Sequence, residues 1–182
     1  MFRKALARGG AGGSSPSPRL TLLLPFKADG HPGAGSCTID DALTPAAVDA
    51  ILTLWRSLPT APKDKPSPID RAYYADVDRA ICALIDDALL RAGLMCVDPS
   101  APSSSSAATQ PLMRFLHYPE PGGSLPTHVD LPRLVDGVRT THTFLLYLTD
   151  CESGGETRLL EARPGDAALA SAGGVAPGER RV

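Results

Sequence analysis

The chain has 182 residues, enough for one domain with tails, and its net charge of -2 gives no electrostatic reason to expect nucleic acid or an anionic membrane as a partner. Hydrophobic residues make up 43% of the chain, which is sufficient for a core, whereas 17 glycines and 18 prolines predict extensive loops. No apolar run approaches the roughly 20 residues that a membrane-spanning helix needs, so we expect no membrane partner.

The N-terminal region, residues 1–36, is predicted to be a basic tail rich in Gly, Ser and Pro. Its composition permits an organelle transit peptide, but a disordered tail is the preferred interpretation, because the run from Thr21 to Phe26 equally suits a first strand. The apolar run from Leu20 to Leu24 is shorter than a secretory signal needs. The cytoplasm is therefore the default compartment.

Residues 37–96 are predicted to be a helical support region. The first helix is expected between Asp40 and Leu58, with Thr44 as its cap and Pro45 at its first position. Four apolar residues fall at helical spacing on one face, namely Val48, Ile51, Leu52 and Trp55. This face is expected to pack against the core.

A second helix is predicted between Ala75 and Ala92, with Gly93 near its end. Its apolar stripe consists of Val77, Ile81, Leu84, Ile85, Ala88 and Leu89. Cys82 lies inside this pattern and is expected to be a small core residue. The four cysteines lack zinc-like spacing, and free thiols are expected.

Residues 97–110 form a Ser-rich segment that is predicted to be a flexible loop. From Pro111 onward the apolar pattern has a period of two, and short strand-like runs alternate with Gly and Pro turns. This pattern is typical of a double-stranded β-helix, or jelly roll. The predicted fold class is therefore α+β, with a partial jelly roll over residues 111–170 braced by two N-terminal helices.

The spacing of His128 and Asp130 indicates a metal site. Residues two apart on a strand point to the same face, so the imidazole and the carboxylate can converge on one ion. This donor pair suits a divalent metal such as Fe(II). Alone the pair is a weak signal, because the same spacing is common in surface turns.

The surroundings of this pair strengthen the signal. An apolar strand ending at Tyr118 and a Pro-Glu-Pro-Gly-Gly turn precede it, and the alternating run from Thr143 to Leu148 and a Gly154–Gly155 turn follow. This order resembles the 2-oxoglutarate and Fe(II)-dependent dioxygenases, in the prolyl 4-hydroxylase-like branch. The resemblance extends over roughly Leu112 to Asp166.

The resemblance implies that His128 and Asp130 are two of the three iron ligands. It also implies that Tyr118, Tyr147 and Thr157 bind or line the pocket of the cosubstrate 2-oxoglutarate. The implied cofactors are Fe(II) and 2-oxoglutarate, with ascorbate. The implied reaction is hydroxylation of a C–H bond, with peptidyl proline in a protein or peptide as the substrate class.

The family's distal His and basic cosubstrate anchor have no counterpart in this chain. After Pro164 and Gly165 the sequence becomes rich in small residues, and residues 171–182 are predicted to be a disordered tail. We therefore expect a chain that lacks the last strands of the barrel. His142 as a substitute ligand, or Arg180 or Arg181 as a substitute anchor, are disfavoured alternatives.

Two other functions stay open at this point. The chain is alternatively a non-catalytic jelly-roll fragment or pseudoenzyme that binds a partner, because an interrupted sheet exposes strand edges. A metal-dependent cupin with other chemistry is a third, weaker interpretation.

Overall fold

The computed structural model describes residues 17–24, 33–63, 67–94, 108–135, 137–160 and 180–181. Contacts between Cα atoms divide the chain into two units. The first, unit 1, comprises Met1–Leu22 and Cys37–Ser124, and the second, unit 2, comprises Leu23–Ser36 and Leu125–Val182. Each unit is described by itself.

Among the residues that the structure describes, unit 1 contains two helices and the two longest sheet pairings. In chain order its elements are β1 (Arg19–Leu22), β2 (Cys37–Asp40), α1 (Pro45–Ser57), β3 (Asp70–Ala75), α2 (Ala80–Arg91) and β4 (Leu112–His117). The elements of unit 2 are β5 (Leu134–Val135), β6 (Val138–Arg139), β7 (Arg158–Leu159) and β8 (Arg180–Arg181).

Helix α1 begins where the sequence predicts its cap. The backbone of Thr44 is extended, and its hydroxyl accepts a hydrogen bond from the Ala47 N–H at 3.3 Å. Pro45 occupies the first turn, where its missing N–H would have no helical partner. The predicted range began earlier, at Asp40, but that residue ends β2.

The core in the described part of unit 1 is formed mainly by residues of α1 and α2. Its buried apolar residues are Ala42, Ala47, Ala50, Ile51, Ile69, Ala72, Ile81, Cys82, Ile85 and Ala88. The predictions that Ile51, Ile81 and Cys82 are core residues are thereby confirmed.

Helix α2 starts five residues later than predicted, at Ala80. The reason is Asp76, which is fully buried and whose carboxylate accepts hydrogen bonds from the Ala80, Ile81 and Cys82 N–H groups at 3.0, 2.9 and 2.8 Å. A carboxylate in this position satisfies donors that lack a helical partner. Val77 precedes the helix and is 84% exposed, so its assignment to the apolar stripe is wrong.

Strands β3 and β4 pair antiparallel over six residues, with Asp70 opposite His117 and Ala75 opposite Leu112. The prediction of an apolar strand at β4 is confirmed. It missed β3 and assigned Ala75 to the second helix. Strand β1 pairs with β2. The predicted strand run from Thr21 to Phe26 overlaps β1 only at Thr21 and Leu22, because β1 begins at Arg19 and ends at Leu22.

Each sheet within the described residues has two strands, and none of them closes into a barrel. The residues from Thr143 to Leu148, which were predicted to be a strand, have no strand pairing. Two short antiparallel pairings, β5 with β6 and β7 with β8, provide the regular structure in the described part of unit 2. The jelly roll therefore stays a prediction.

Several predictions fall outside the described residues. These are the transit peptide or tail over residues 1–16, most of the Ser-rich loop, the turn at Pro164 and Gly165, Cys96, and residues 171–179 of the predicted C-terminal tail. The end of that tail, Arg180–Arg181, forms β8, so the prediction of disorder is wrong there. Within the described part of the chain, no helix has the length and apolar character needed to cross a bilayer.

Candidate metal centre

The structure brings His128 and Asp130 together. The His128 Nε2 lies 3.5 Å from the Asp130 Oδ1, and each side chain is 47% exposed. Residues 123–133 include no strand, so the two side chains converge through the local path of a loop and not through strand alternation. The two side chains were expected to project from one β-strand, but this segment is a loop.

A hydrogen bond at the Nδ1 of His128 determines which of its two ring nitrogens carries the hydrogen. Its Nδ1 lies 2.8 Å from the carbonyl oxygen of Pro126. A carbonyl oxygen only accepts, so Nδ1 must carry the hydrogen. In a neutral imidazole the lone pair is then on Nε2, which is the nitrogen that faces Asp130.

The Asp130 carboxylate is also held in place. Its Oδ2 accepts a hydrogen bond from the Thr143 hydroxyl at 2.8 Å, which leaves Oδ1 directed to His128. The sequence analysis did not identify Thr143 as a site residue. Thr143 lies thirteen residues from Asp130, and no local spacing rule connects a hydroxyl to a carboxylate at that distance along the chain.

Two further predicted residues contact each other. The Tyr147 hydroxyl and the Thr157 hydroxyl form a hydrogen bond. Between them in sequence lies the predicted glycine turn, where Gly154 and Gly155 have φ values of 76° and 80°. A Cβ on Gly155 would lie 3.2 Å from the Cβ of Cys151, so this turn favours glycine both in conformation and in space.

Tyr118 belongs to unit 1, whereas His128, Asp130, Tyr147 and Thr157 belong to unit 2. It follows β4 directly and is 41% exposed. Its ring borders Gly123, where an added Cβ would lie 3.1 Å from the Tyr118 Cδ1. A pocket role for Tyr118 stays a prediction.

The donor atoms at His128 and Asp130 fit two positions on a divalent iron, because both an imidazole nitrogen and a carboxylate oxygen are typical iron ligands. His142 is engaged elsewhere, with its Nδ1 2.9 Å from the Thr141 hydroxyl. Across the described ranges, no three His, Cys, Asp or Glu side chains come together as a metal site. The pair therefore offers two protein ligands.

Comparisons of the chain with known protein families, with curated proteins and with solved structures find no match.

Proposed function

We propose that the chain is an Fe(II) and 2-oxoglutarate-dependent dioxygenase domain of the prolyl 4-hydroxylase type. The single observation that supports this most is the approach of the His128 Nε2 to the Asp130 Oδ1 at 3.5 Å, with the His128 Nδ1 bound to the Pro126 carbonyl. This is the arrangement in which a histidine and a carboxylate bind one cation.

Electrostatics favours a cation between the His128 Nε2 and the Asp130 Oδ1. A neutral His128 with its hydrogen on Nδ1 directs a lone pair at a negatively charged oxygen, and this contact is repulsive. A cation between the two atoms converts the repulsion into two favourable contacts. The proposed cation is a metal ion, and the binding experiment below tests this.

The neighbouring groups support a metal ligand role. Ligating histidines usually donate their second N–H to a carbonyl or carboxylate, which fixes the ring orientation, and His128 does so to Pro126. Ligating carboxylates are themselves hydrogen-bonded, as Asp130 is to Thr143. Both ligand side chains thus have an orienting partner.

In the proposed reaction His128 and Asp130 hold the iron, and Thr143 keeps the Asp130 carboxylate oriented. The hydroxyls of Tyr147 and Thr157 bond to each other, so one of the two keeps a hydrogen that could be donated to a carboxylate of 2-oxoglutarate. When bound, iron and 2-oxoglutarate supply the oxidation of an unactivated C–H bond, coupled to decarboxylation of the cosubstrate to succinate. A protein or peptide, with proline as the modified residue, is the proposed substrate class.

The test is succinate formation by the purified chain with Fe(II), ascorbate and 2-oxoglutarate, beside the His128→Ala and Asp130→Ala variants. His142→Ala is the matched control, because it removes an exposed histidine of the same unit that bonds to Thr141. We expect succinate from the unaltered chain and the control, and none from the two ligand variants.

A second measurement is Mn(II) binding followed by electron paramagnetic resonance. Binding that is lost in His128→Ala supports a metal site, whereas no binding to the unaltered chain would refute the iron site. Metal binding without succinate would refute turnover and favour the non-catalytic, partner-binding alternative.

A further inference from the structure

Alternate residues of β3 and β4 form an exposed face of their two-stranded sheet. On β3, Ala72 is buried, whereas its neighbour Tyr73 is 61% exposed. On β4, the exposed residues Leu112 and Arg114 lie on either side of the half-buried Met113. Side chains two apart on a strand share a face. The antiparallel register therefore groups six side chains on this side, which we call the outer face: Arg71, Tyr73, Ala75, Leu112, Arg114 and Leu116.

The outer face carries two cations and no acid. Arg71 is paired with Leu116 and Tyr73 with Arg114, so the two arginines are diagonal neighbours across the strands. Diagonal neighbours lie about 7–8 Å apart, within reach of long side chains. In the part of the chain that the structure describes, no carboxylate forms an ion pair with either guanidinium. Two like charges are thus held close together, and an anionic group beside them would reduce their repulsion.

The two carboxylates at the ends of β3 do not neutralise the outer face. Asp70, at the start of the strand, is bound to Lys63, whose Nζ lies 2.7 Å from its Oδ1. Asp76, directly after the strand, is fully buried and accepts hydrogen bonds from the first turn of α2. Both negative charges are therefore already compensated by other groups.

Arg71 also borders a groove of about 260 Å³ beside the end of α1. Arg56 borders the same groove and adds a further positive charge, and the carboxylate in the groove is that of Asp70. The groove therefore increases the positive charge near Arg71. Because Arg71 is half-buried and Arg114 is exposed, we expect Arg114 to contribute more to the binding of an anionic partner.

The apolar side chains of the outer face indicate the kind of partner. Tyr73 and Leu112 are each 61% exposed, and they offer contact area that a small anion would leave uncovered. A nucleic acid is disfavoured because the whole chain has a net charge of -2. A second copy of the chain docked through the same face would bring four guanidiniums together. A partner that carries both carboxylates and apolar side chains satisfies the charge and the apolar surface at once.

We propose that the outer face binds an acidic segment of a partner protein, in which carboxylates alternate with apolar side chains. The carboxylates pair with Arg114 and Arg71, and the apolar side chains cover Tyr73 and Leu112. Each strand has six residues and extends over about 20 Å, so the face accommodates an extended segment of about six residues. This binding site is independent of the proposed iron centre.

The probe is a synthetic hexapeptide of alternating glutamate and leucine with blocked ends, titrated into the ¹⁵N-labelled chain without metal. We expect changes in amide chemical shift at β3 and β4, and a Kd that rises with added salt, because exposed charge pairs are screened. The same peptide with glutamine in place of glutamate should not bind. The absence of shifts with the acidic peptide, or equal shifts with the glutamine peptide, would overturn the proposal.

Charge reversal tests the location of the site. Arg114→Glu should raise the Kd of the acidic peptide roughly tenfold, since a favourable pair becomes a repulsive one, and Arg71→Glu should raise it less. Arg139→Glu, the matched control, makes the same charge change at an exposed position of β6 and should leave the Kd unaltered. Circular dichroism verifies that each variant is folded. An equal rise in Arg114→Glu and Arg139→Glu would show attraction by overall charge alone, and the proposal would then be rejected.

A short oligothymidylate serves as the competing probe. Tighter binding of this oligonucleotide than of the acidic peptide, with shifts at the same residues, would assign the outer face to a nucleic acid and reject a protein partner. We expect the peptide to bind more tightly, because only the peptide has apolar side chains that pack on Tyr73 and Leu112. Tyr73→Ser should accordingly weaken binding of the peptide.

Discussion

Asp76 and Cys82 are joined at the start of α2, where the Cys82 backbone N–H donates a hydrogen bond of 2.8 Å to the Asp76 Oδ2. Both residues are fully buried. The same carboxylate also accepts from Ala80 and Ile81, so one side chain satisfies three donors of the first turn. The start of α2 therefore depends on Asp76, which lies outside the helix, and the free energy of unfolding should depend on this side chain.

Replacing Asp76 with Ala should destabilise the protein by about 2–4 kcal/mol, because buried N–H groups would lose their acceptor. Asp76→Asn should be less costly, since one acceptor oxygen remains. Urea denaturation measures both free energies of unfolding. Asp49→Ala, at an exposed position of α1, is the control and should stay within about 0.5 kcal/mol of the unaltered chain. A cost for Asp76→Ala equal to that of the control would show that the cap contributes nothing.

Ile81→Ala and Val77→Ala test the true position of the α2 core face. Ile81 is 1% exposed, and its truncation should cost about 2–5 kcal/mol through lost burial and the cavity that remains. Val77 is 84% exposed, and its truncation should change stability by less than about 0.5 kcal/mol. Thermal or urea unfolding of the two variants decides between the structure and the predicted stripe. Similar losses of stability in the two variants would favour the predicted apolar stripe, in which Val77 and Ile81 lie on the same buried face.

Thr44→Ala should reduce stability by about 1 kcal/mol, because the Ala47 N–H loses its side-chain acceptor at the start of α1. Thr44→Ser retains the hydroxyl and should stay close to the unaltered chain. Circular dichroism during denaturation provides the measurement. If serine were as destabilising as alanine, the hydroxyl would not be the stabilising group.

The cysteines should differ in their reaction with an alkylating reagent. Burial raises the pKa of the Cys82 thiol to about 11, with the hydrogen bond that the thiol donates to the Asp76 carboxylate as a further cause, so little thiolate forms at pH 8. Cys151 is exposed. Mass spectrometry after brief treatment with iodoacetamide at pH 8 should find Cys151 modified and Cys82 intact. After denaturation in urea both should react, and rapid labelling of Cys82 in the folded chain would contradict its burial.

Thr143→Val should weaken metal binding at the proposed centre by about tenfold, because the Asp130 carboxylate loses the hydroxyl that orients it. Mn(II) titration of the variant measures this change. Thr141→Val removes a hydroxyl that bonds to His142 instead and should leave the affinity unaltered. Equal affinities for the two variants would exclude an orienting role of Thr143.

Local chemistry explains which elements the sequence predicted well. Thr44 and Pro45 define the start of α1 through contacts within one helical turn, so a short stretch of sequence contains all the information needed. The start of α2 was placed incorrectly because apolar spacing continued through Val77, whereas the chain is turned there by Asp76. The spacing of apolar residues gives no indication that a buried carboxylate caps the helix.

Strand β3, unlike the start of α1, depends on residues that are distant in the sequence. Its six residues pair with a strand more than thirty residues further along the chain, and this pairing, together with packing beneath Ala72, makes the segment extended. Neither contribution is visible in the segment itself. Tyr73 and Tyr74 are the only strand-favouring residues of the segment, so its local signal for β3 was weak.

For the candidate site, the sequence by itself determined the donor types and their closeness, because two residues separated by one position, His128 and Asp130, cannot lie far apart. Only the tertiary structure decided which atoms face each other, through the Pro126 carbonyl on one side and the Thr143 hydroxyl on the other. Orientation depends on hydrogen bonds to groups that the fold brings in, and that information is not in the spacing of two residues.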